Sequence, residues 1–478
     1  HIMVVQHNMQ AANANRMLNV TTGQQAKSTE KLSSGYRINR AADDAAGLSI
    51  SEKMRKQIRG LDKASSNAED GVSSVQTAEG ALTEVHSMLQ RMNELATQSA
   101  NGTNSTTDRS AIQDEISQLT TEIDRVAETT KFNETYLLKG GDGTKQEYMK
   151  GHDAGLKGAL TDGTTKATFK VAAGALDEGK SVTIGGKDYT IGSAVADVQT
   201  AVGKLNTAGD KVTVNDKTYT YVAANTAAPG GQNVTTAGWV LDEDKTSVAG
   251  TTLTIANGDK VTTTPKNGAS ASYTAAEMDN GVSKADPSII SAEKAVSLMK
   301  DELIAANKVG VTNGTVTITG TPAYDKDNGV TFEINKGSAE VANKLSFSLH
   351  VGSDADMTNK ITVGIETMNS SYLGIKGLNV NDDSGIAGTY AIDAISDALQ
   401  KVSDQRSSLG AVQNRLEHTI DNLDNVVENT TSAESRIRDT DMAKEMVNYS
   451  KNNILAQAGQ SMLAQANQSN QGVLSLLQ

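Results

Sequence analysis

The chain has 478 residues with no cysteine, 3% aromatic residues and a formal net charge of -13. The absence of cysteine excludes disulfides, thiolate metal sites and a cysteine nucleophile. The excess of acidic residues argues against nucleic acid as a main partner, because phosphate contacts need a basic surface. With 37% hydrophobic residues and so few aromatic ones, long helices packed through aliphatic side chains fit the composition better than one large compact core.

The start of the chain lacks the apolar segment of a secretory signal peptide. His1 and Ile2 have the character of a cloning remnant, and Met3 has that of the native start. No apolar run approaches the ~20 residues of a membrane span. We therefore expect no membrane insertion, and we expect that any export uses a route without a cleaved signal peptide.

The first ~40 and the last ~40 residues predict helices that are weak by themselves, because both stretches are rich in Ala, Asn and Gln and carry few apolar positions. Ordering each residue costs roughly 1–2 kcal/mol of backbone entropy. We therefore expect these ends to fold only when many copies of the chain associate. Their expected seam positions are Val5, Met9, Ala12 and Leu18 at one end, and Ile454, Ala458, Met462 and Leu463 at the other.

A heptad pattern follows the N-terminal stretch and predicts a helix that packs along one seam. The turn sequence "NGTNS" then ends this helix, and a second helix with the same spacing is expected to pack back antiparallel. Arg91, Leu95 and Gln98 step by four and three on another face of the first helix, where we expect them to be exposed. The seam positions are Val75, Ala78, Leu82, Val85, Leu89, Met92 and Ala96, then Ile112, Ile116, Leu119, Ile123 and Val126.

The middle of the chain contains all the prolines and is predicted to be rich in strands and turns. "VTIGGKDYTI" and "VTVNDKTYTY" each predict a hairpin, and "TLTIANGDKVTTT" predicts a third through Asn257-Gly258. Two amphipathic helices are predicted at "SAVADVQTAVGKLN" and "SAEKAVSLMKDELIAAN". The first two hairpins resemble each other, so an internal duplication and a generic α+β domain are both open.

The longest heptad pattern lies near the C-terminal end and predicts one long helix. Arg406 and Gln413 are polar insertions in its seam, and such residues can fix the register of a coiled coil. The seam positions are Ile392, Ile395, Leu399, Val402, Arg406, Leu409, Gln413, Leu416, Ile420, Leu423 and Val427.

No catalytic or metal-binding motif is present in the sequence. The histidines lack paired metal-ligand spacing, and His86 and His418 are expected to be solvated helix residues. The Gly-rich "GGDGTKQE" lacks the ending of a phosphate-binding loop and is interpreted as a turn. Asp43 and Asp44 cannot face each other on a helix, so we expect them to mark a helix break. The sequence therefore supports neither an enzyme nor a cofactor.

Several motifs, in this order, resemble bacterial flagellin. "LSSGYRINRAADDAAGLSISEKMRKQIRGL" is similar to the N-terminal hallmark of that family, and "LQRMNELATQSANGTNS" and "FNETYLL" follow it. "SSLGAVQNRLEHTIDNL", "AESRIRDTDMAKEM" and "ANQSNQGVLSLL" are similar to the C-terminal hallmark. The resemblance covers residues 3–140 and 360–478 and leaves the middle of the chain unmatched.

The resemblance implies a mainly α-helical fold with a β-rich middle. Elongated antiparallel coiled-coil helices from both ends would form an inner domain (D0) and a second domain (D1), with an α+β variable domain outside them. The implied ranges are 1–44 for the N-terminal D0 helix, 45–170 for the N-terminal D1 helices and hairpin, 171–345 for the variable outer domain, 346–436 for C-terminal D1 and 437–478 for the C-terminal D0 helix.

The resemblance also implies a function, that of a structural subunit of the flagellar filament, exported through the flagellum's type III channel to the outside of the cell. Contacts that do not close on a ring give such an open helical polymer. The implied partners are further copies of the chain, hook-associated and cap proteins, an export chaperone at the C-terminal helices, and host Toll-like receptor 5. The implied contact positions for a neighbouring subunit and the receptor are Gln90, Arg91, Glu94, Leu95, Gln98 and Glu115.

Three alternatives are open at this point. A hook–filament junction protein shares helical ends, but it would match the motifs less completely. A protease in the variable middle is disfavoured by the absence of an HExxH motif. A secreted host-binding adhesin could use Trp239 and nearby tyrosines, although such aromatic residues more often form a small core cluster.

Overall fold

The computed structural model describes residues 7–226, 228, 234–243 and 248–476, so the predicted seam position Val5 lies outside the described residues. The chain divides into two compact units. We refer to His1–Val75, Phe347–Val363 and Leu409–Gln478 as the terminal unit, and to Gln76–Ser346 and Gly364–Ser408 as the central unit. Each unit is described separately.

The described residues contain eight α-helices and twenty-two strands. The helices are α1 (Met9–Ser34), α2 (Ala45–Ser99), α3 (Thr106–Thr129), α4 (Val195–Gly203), α5 (Ala292–Asn307), α6 (Ser370–Leu373), α7 (Ile386–Arg438) and α8 (Met442–Ser475). The strands are β1 (Lys131–Phe132), β2 (Thr135–Tyr136), β3 (Thr144–Tyr148), β4 (Ala159–Asp162), β5 (Lys166–Val171), β6 (Ser181–Ile184), β7 (Lys187–Ile191), β8 (Ser193–Ala194), β9 (Lys211–Val214), β10 (Lys217–Val222), β11 (Gly238–Leu241), β12 (Val248–Gly250), β13 (Lys260–Thr264), β14 (Ala271–Ala276), β15 (Met278–Asp279), β16 (Val282–Ser283), β17 (Ile289–Ile290), β18 (Thr317–Ile318), β19 (Val330–Asn335), β20 (Ser338–Ala342), β21 (Leu345–His350) and β22 (Lys360–Ile365).

The first and last described helices, α1 and α8, pair antiparallel in the terminal unit. The Asn8 side-chain amide donates to the carbonyl oxygen of Ala466 at 3.3 Å. Further along the pair, a Cβ atom at Gly459 would lie 3.3 Å from Cδ1 of Leu18, so glycine lets the two helices approach closely. The two ends of the chain therefore contact each other within a single copy.

The seam positions expected on these two helices differ in exposure within the single chain. Leu18 and Leu463 are half-buried, whereas Met9, Ile454 and Met462 are exposed. These positions were expected to pack when many copies associate, and a pair of helices covers only one side of each helix. Their role in polymerisation therefore stays a prediction. Ala12 and Ala458 are exposed as well.

In the terminal unit α2 also packs against α7, in antiparallel register. The Ser65 hydroxyl donates to Asp424 at 3.1 Å, and the Ser51 hydroxyl donates to Glu434 at 2.9 Å. A Cβ atom at Gly71 would overlap the side chain of a leucine in β21, so glycine makes room for the strand. The apolar contacts of this part join Ala68, Val72, Val412, Leu416 and Ile420 to Leu349, Val351 and Ile361.

The central unit continues the same antiparallel arrangement. Arg406, one of the two predicted polar insertions, lies 3.4 Å from Glu79 across the pair. A Cβ atom at Gly388 would lie 2.9 Å from the carbonyl oxygen of Ala96, so glycine permits close helix packing there.

The predicted burial of the seam is confirmed at Val75, Leu82, Val85, Leu89, Met92, Leu409, Leu416 and Leu423, while Ile420 is half-buried.

The β-rich middle confirms two of the three predicted hairpins. β6 pairs with β7 and β9 pairs with β10, and the turn residues between them have positive φ angles of 57° and 73° in the first and 47° and 71° in the second. The third prediction was wrong. Residues 252–255 form no strand, and β13 instead pairs with β14 and β9. The backbone here bonds to the Gln199 side chain instead of to a strand: the Leu253 carbonyl oxygen accepts from Gln199 Nε2, and the Ile255 N–H donates to Gln199 Oε1 at 3.0 Å.

The strands of the central unit form three larger sheets. Among the described strands, their orders are β12-β11-β10-β9-β13-β14-β8, β15-β16-β17-β7-β6 and β18-β19-β5-β4. α4 and α5 are confirmed at the two positions predicted for amphipathic helices. The implied domain boundary between 170 and 171 falls inside β5, and that between 345 and 346 falls inside β21. No helix among the described residues is long and apolar enough to cross a membrane.

Candidate functional site

A charged surface lies where α2 and α3 run side by side in the central unit. Arg91 Nε donates to Glu115 Oε1 at 2.9 Å, and Arg91 Nη1 donates to Glu94 Oε2 at 3.1 Å. The bond to Glu115 is the larger cause, and the bond to Glu94 the next, of a pKa of the Arg91 guanidinium above its ordinary value. The exposed residues Gln90, Arg91, Glu94, Gln98 and Glu115 are together referred to as the α2–α3 surface.

The structure corrects one residue of this site. Leu95 is only 2% exposed, so the prediction that it forms an exposed apolar anchor was wrong. It lies one helical turn after Arg91 and one turn before Ser99, and both of those residues contact α3. Residues four apart share a helix face, so Leu95 belongs to the face that packs on α3. The remaining members of the surface are polar.

The turn that joins α2 to α3 positions this surface. α3 begins with a capping box, in which the Ser105 hydroxyl accepts from the backbone N–H of Asp108 and the Asp108 carboxylate accepts from the backbone N–H of Ser105. Both hydrogen bonds satisfy N–H groups that a helix start leaves unpaired. The bond from the Ser105 backbone N–H, and then a hydrogen bond that the Ser105 hydroxyl donates to the same carboxylate, lower the pKa of Asp108. The sequence "NGTNS" therefore ends one helix and caps the next.

A buried arginine holds this turn against the loop before α7. Arg109 Nε donates to the carbonyl oxygen of Ser99 at 3.0 Å, and Nη2 donates to that of Asn101 at 3.1 Å. Nη1 donates to the carbonyl oxygens of Asp382 at 3.2 Å and Asp383 at 3.3 Å. Sequence reasoning missed this residue, although Arg109 extends the seam spacing of α3 by three residues before its first isoleucine.

A second candidate surface lies on the terminal unit, where α1 and α8 expose large apolar side chains. At ~100° per residue, those of α8 point over more than half of the helix circumference. A helix that is apolar on several sides is normally buried on several sides. The exposed residues, referred to as the apolar end surface, are Met9, Met17, Val20, Met442, Met446, Val447, Ile454, Leu455, Met462, Leu474 and Leu476.

Other residues singled out in the sequence have structural roles. Asp43 accepts from the backbone N–H groups of Asn39 and Arg40 at 3.1 and 3.0 Å, and these bonds lower its pKa. Asp44 accepts from Gly47 N at 2.8 Å at the start of α2. These contacts confirm the predicted helix break.

Trp239 and the nearby Tyr221 belong to an apolar core cluster. Trp239 is buried, and the ring of Tyr221 meets it edge-to-face at 5.3 Å between centroids. His152 Nε2 lies 3.1 Å from Asp397, a pairing not predicted from the sequence. Within the part of the chain that the structure describes, no group of His, Cys, Asp and Glu residues is suited to hold a metal ion.

Comparisons with known proteins agree with the helical ends of the chain. Family models of the bacterial flagellin N-terminal and C-terminal helical regions match residues 5–142 and 392–477. The flagellin of Clostridium tyrobutyricum is 40% identical over 98% of this chain and 100% of its own length. Flagellin B of Vibrio anguillarum is 35% identical over 99% of each chain. The solved structure of FliC from Burkholderia pseudomallei is 19% identical, covers 72% of this chain and 99% of its own, and has a TM-score of 0.28.

The two matched regions contain α1, α2, α3 and α8 completely, and nearly all of α7. The relatives match over the β-rich middle as well, since the similarity extends over almost the full length of both chains. The chain therefore belongs to the bacterial flagellin family, whose members are structural subunits of the flagellar filament and not enzymes.

Proposed function

We propose that this flagellin polymerises into the filament through α1 and α8, with the apolar end surface buried between neighbouring copies. The exposure of large apolar side chains around α8 carries the proposal. Each such side chain gains about 1.5–3 kcal/mol when fully removed from water. Because these side chains point in several directions, one neighbour cannot cover them all. Contacts between unlike faces of successive copies produce an open helical polymer.

The test is a measurement of the critical concentration for seeded assembly. The double variant Ile454→Asn, Met462→Gln should raise that concentration at least ~100-fold, because two buried apolar contacts are lost at each subunit. The matched control is Met357→Gln, which alters a methionine that is 74% exposed but lies outside α1 and α8. The control should assemble like the parent. Assembly of the double variant at the parent's critical concentration would refute the proposal.

We further propose that the α2–α3 surface contacts a neighbouring subunit in the filament and, in the free subunit, host Toll-like receptor 5. The support is the exposed guanidinium of Arg91, which is held by the carboxylates of Glu94 and Glu115. These positions resemble the family's contact site. An arginine that is fixed in place loses less entropy when a partner binds it. The buried Leu95 is excluded as a direct contact.

Binding of the monomer to the purified receptor ectodomain tests this second proposal. Arg91→Ala should weaken binding by about tenfold or more, as expected for a central interface arginine. Arg125→Ala is the control, because Arg125 is also exposed on this pair of helices and is paired with Glu122. Equal affinities of the Arg91→Ala variant and the parent would place receptor recognition elsewhere.

We propose that an export chaperone covers the exposed apolar side chains of α8 before assembly. After export, the subunit resides outside the cell and contacts hook-associated and cap proteins at the filament ends. The support is that an uncovered apolar helix promotes premature association. A chain that ends before Met442 should fail to bind the chaperone, while the full chain should bind it with one-to-one stoichiometry. Chaperone binding by the shortened chain would contradict this assignment.

A further inference from the structure

The central unit contains a cavity that neither proposed interface uses. It lies between the β6–β7 hairpin, α5 and the first turn of α7, and its volume is 740 Å³. Sites for small molecules typically have volumes of about 300–1,000 Å³. Apolar side chains supply much of its lining: Ile184, Tyr189, Leu298, Val309, Val311 and Ile386.

The two carboxylates that line the cavity already have partners. Glu302 accepts a hydrogen bond from the Tyr390 hydroxyl. Burial and then this bond raise the pKa of Tyr390, so the hydroxyl stays protonated and continues to donate. Asp382 accepts from the backbone N–H groups of Gly385 at 2.8 Å and Ile386 at 3.0 Å, at the start of α7. The donors of these hydrogen bonds are uncharged, so both carboxylates keep their negative charges.

Three lysines line the same cavity against two carboxylates, so the lining has an excess of one positive charge (three minus two). Lys187, Lys308 and Lys376 make no ion pair and no side-chain hydrogen bond with any residue that the structure describes. Their presence around one cavity contrasts with the net charge of -13 of the whole chain. The excess of positive charge favours an anion over a cation in this cavity.

We infer that this cavity binds an amphipathic anion, with a carboxylate or sulfonate head at the three lysines and an apolar body along the cavity wall. An uncharged apolar ligand would leave the ammonium groups unpaired, and a small hydrophilic anion would leave the apolar wall in water. A long-chain carboxylate satisfies both parts of the site. This binding is independent of the assembly surfaces on α1 and α8.

Calorimetric titration of the full-length monomer with dodecanoate, below its micelle concentration, tests the inference. We expect one saturable site per chain. The double variant Lys308→Glu, Lys376→Glu should weaken binding by at least about tenfold, given the usual strength of ion pairs near a surface. Ala305→Phe should also weaken it, because this exposed position of α5 lines the cavity and a phenyl ring would fill part of it. The control Lys326→Glu changes an exposed lysine outside the cavity and should leave binding unchanged.

Three results would overturn the inference. The first is the absence of saturable binding to the parent chain. The second is equal binding to the parent and to Ala305→Phe, which would place dodecanoate elsewhere, for instance on the apolar end surface. The third is equally tight binding of dodecyltrimethylammonium, which has the same chain and the opposite charge. Because Ala305→Phe leaves all the lysines in place, it decides the question even if the double variant does not fold.

Discussion

Replacement of Arg109 should destabilise the central unit more than replacement of any exposed arginine does. The residue is 2% exposed, and its guanidinium donates to four carbonyl oxygens. At roughly 1.5–3 kcal/mol for each bond to a charged group, simple addition gives about 6–12 kcal/mol. Water can enter the space left by an alanine, so we expect Arg109→Ala to lower the free energy of unfolding by about 3–4 kcal/mol.

Replacing Arg109 by lysine tests whether the planar shape of the guanidinium group is needed. A lysine ammonium keeps the charge, but it cannot reach carbonyl oxygens on both sides as the planar guanidinium does. We expect Arg109→Lys to cost about 2 kcal/mol, between the parent and the alanine variant. The control is Arg125→Ala on the same helix, which removes an ion pair of an arginine that is 59% exposed and should cost less than about 0.5 kcal/mol.

The assay is urea unfolding followed by circular dichroism, combined with hydrogen exchange of peptides from α3 and the 100–105 turn. Exchange localises the effect, because the chain contains two units whose transitions can overlap. The alanine variant should accelerate exchange in the turn and at the start of α7. A cost of less than about 1 kcal/mol for Arg109→Ala, or equal stability of Arg109→Lys and the parent, would refute the reasoning.

Three further predictions concern the helix ends and the α2–β21 contact. Asp441→Ala should cost about 1 kcal/mol and speed exchange in the first turn of α8, because its side chain caps two N–H groups there. Burial raises the pKa of Asp382, but hydrogen bonds from Ser384 and the backbone outweigh it and lower the pKa below 3.8. The stability that this lowered pKa adds is lost as the pH falls through it. Asp382→Asn should therefore lose less unfolding free energy than the parent in an acid titration. Gly71→Val should lower the unfolding free energy by about 1–3 kcal/mol in urea melts, because even its Cβ overlaps Leu349.

The sequence predicts the long helices well because their burial pattern is local. Val85, Leu89 and Met92 repeat at heptad spacing, and each is fully buried. The prediction was wrong at Leu95, because it assigned α2 a single apolar seam and placed Leu95 on an exposed face. α2 contacts both α7 and α3 in the central unit, so its buried face is wider than one seam.

The β-rich middle is predictable at its turns and not in its pairings. The Gly185-Gly186 and Asn215-Asp216 turns have the positive φ angles that tight hairpins need, and both were identified from sequence. The parallel pairing of β7 with β17 joins segments far apart in the chain, and local patterns carry no information about it. The same limit explains why the cavity and the four bonds of Arg109 were not predicted.

Methionine oxidation, compared between monomer and filament, shows whether α1 and α8 become buried on assembly. Met9, Met17, Met442, Met446 and Met462 are exposed in the single chain, as is Met357 outside the two end helices. Oxidation to sulfoxide follows solvent access, so mass spectrometry of each peptide reports on burial.

We expect oxidation of the five methionines in α1 and α8 to slow strongly in the filament, while Met357 reacts at a similar rate in both states. Equal oxidation of those five methionines in monomer and filament would contradict this expectation, because the apolar end surface would then remain in water after assembly.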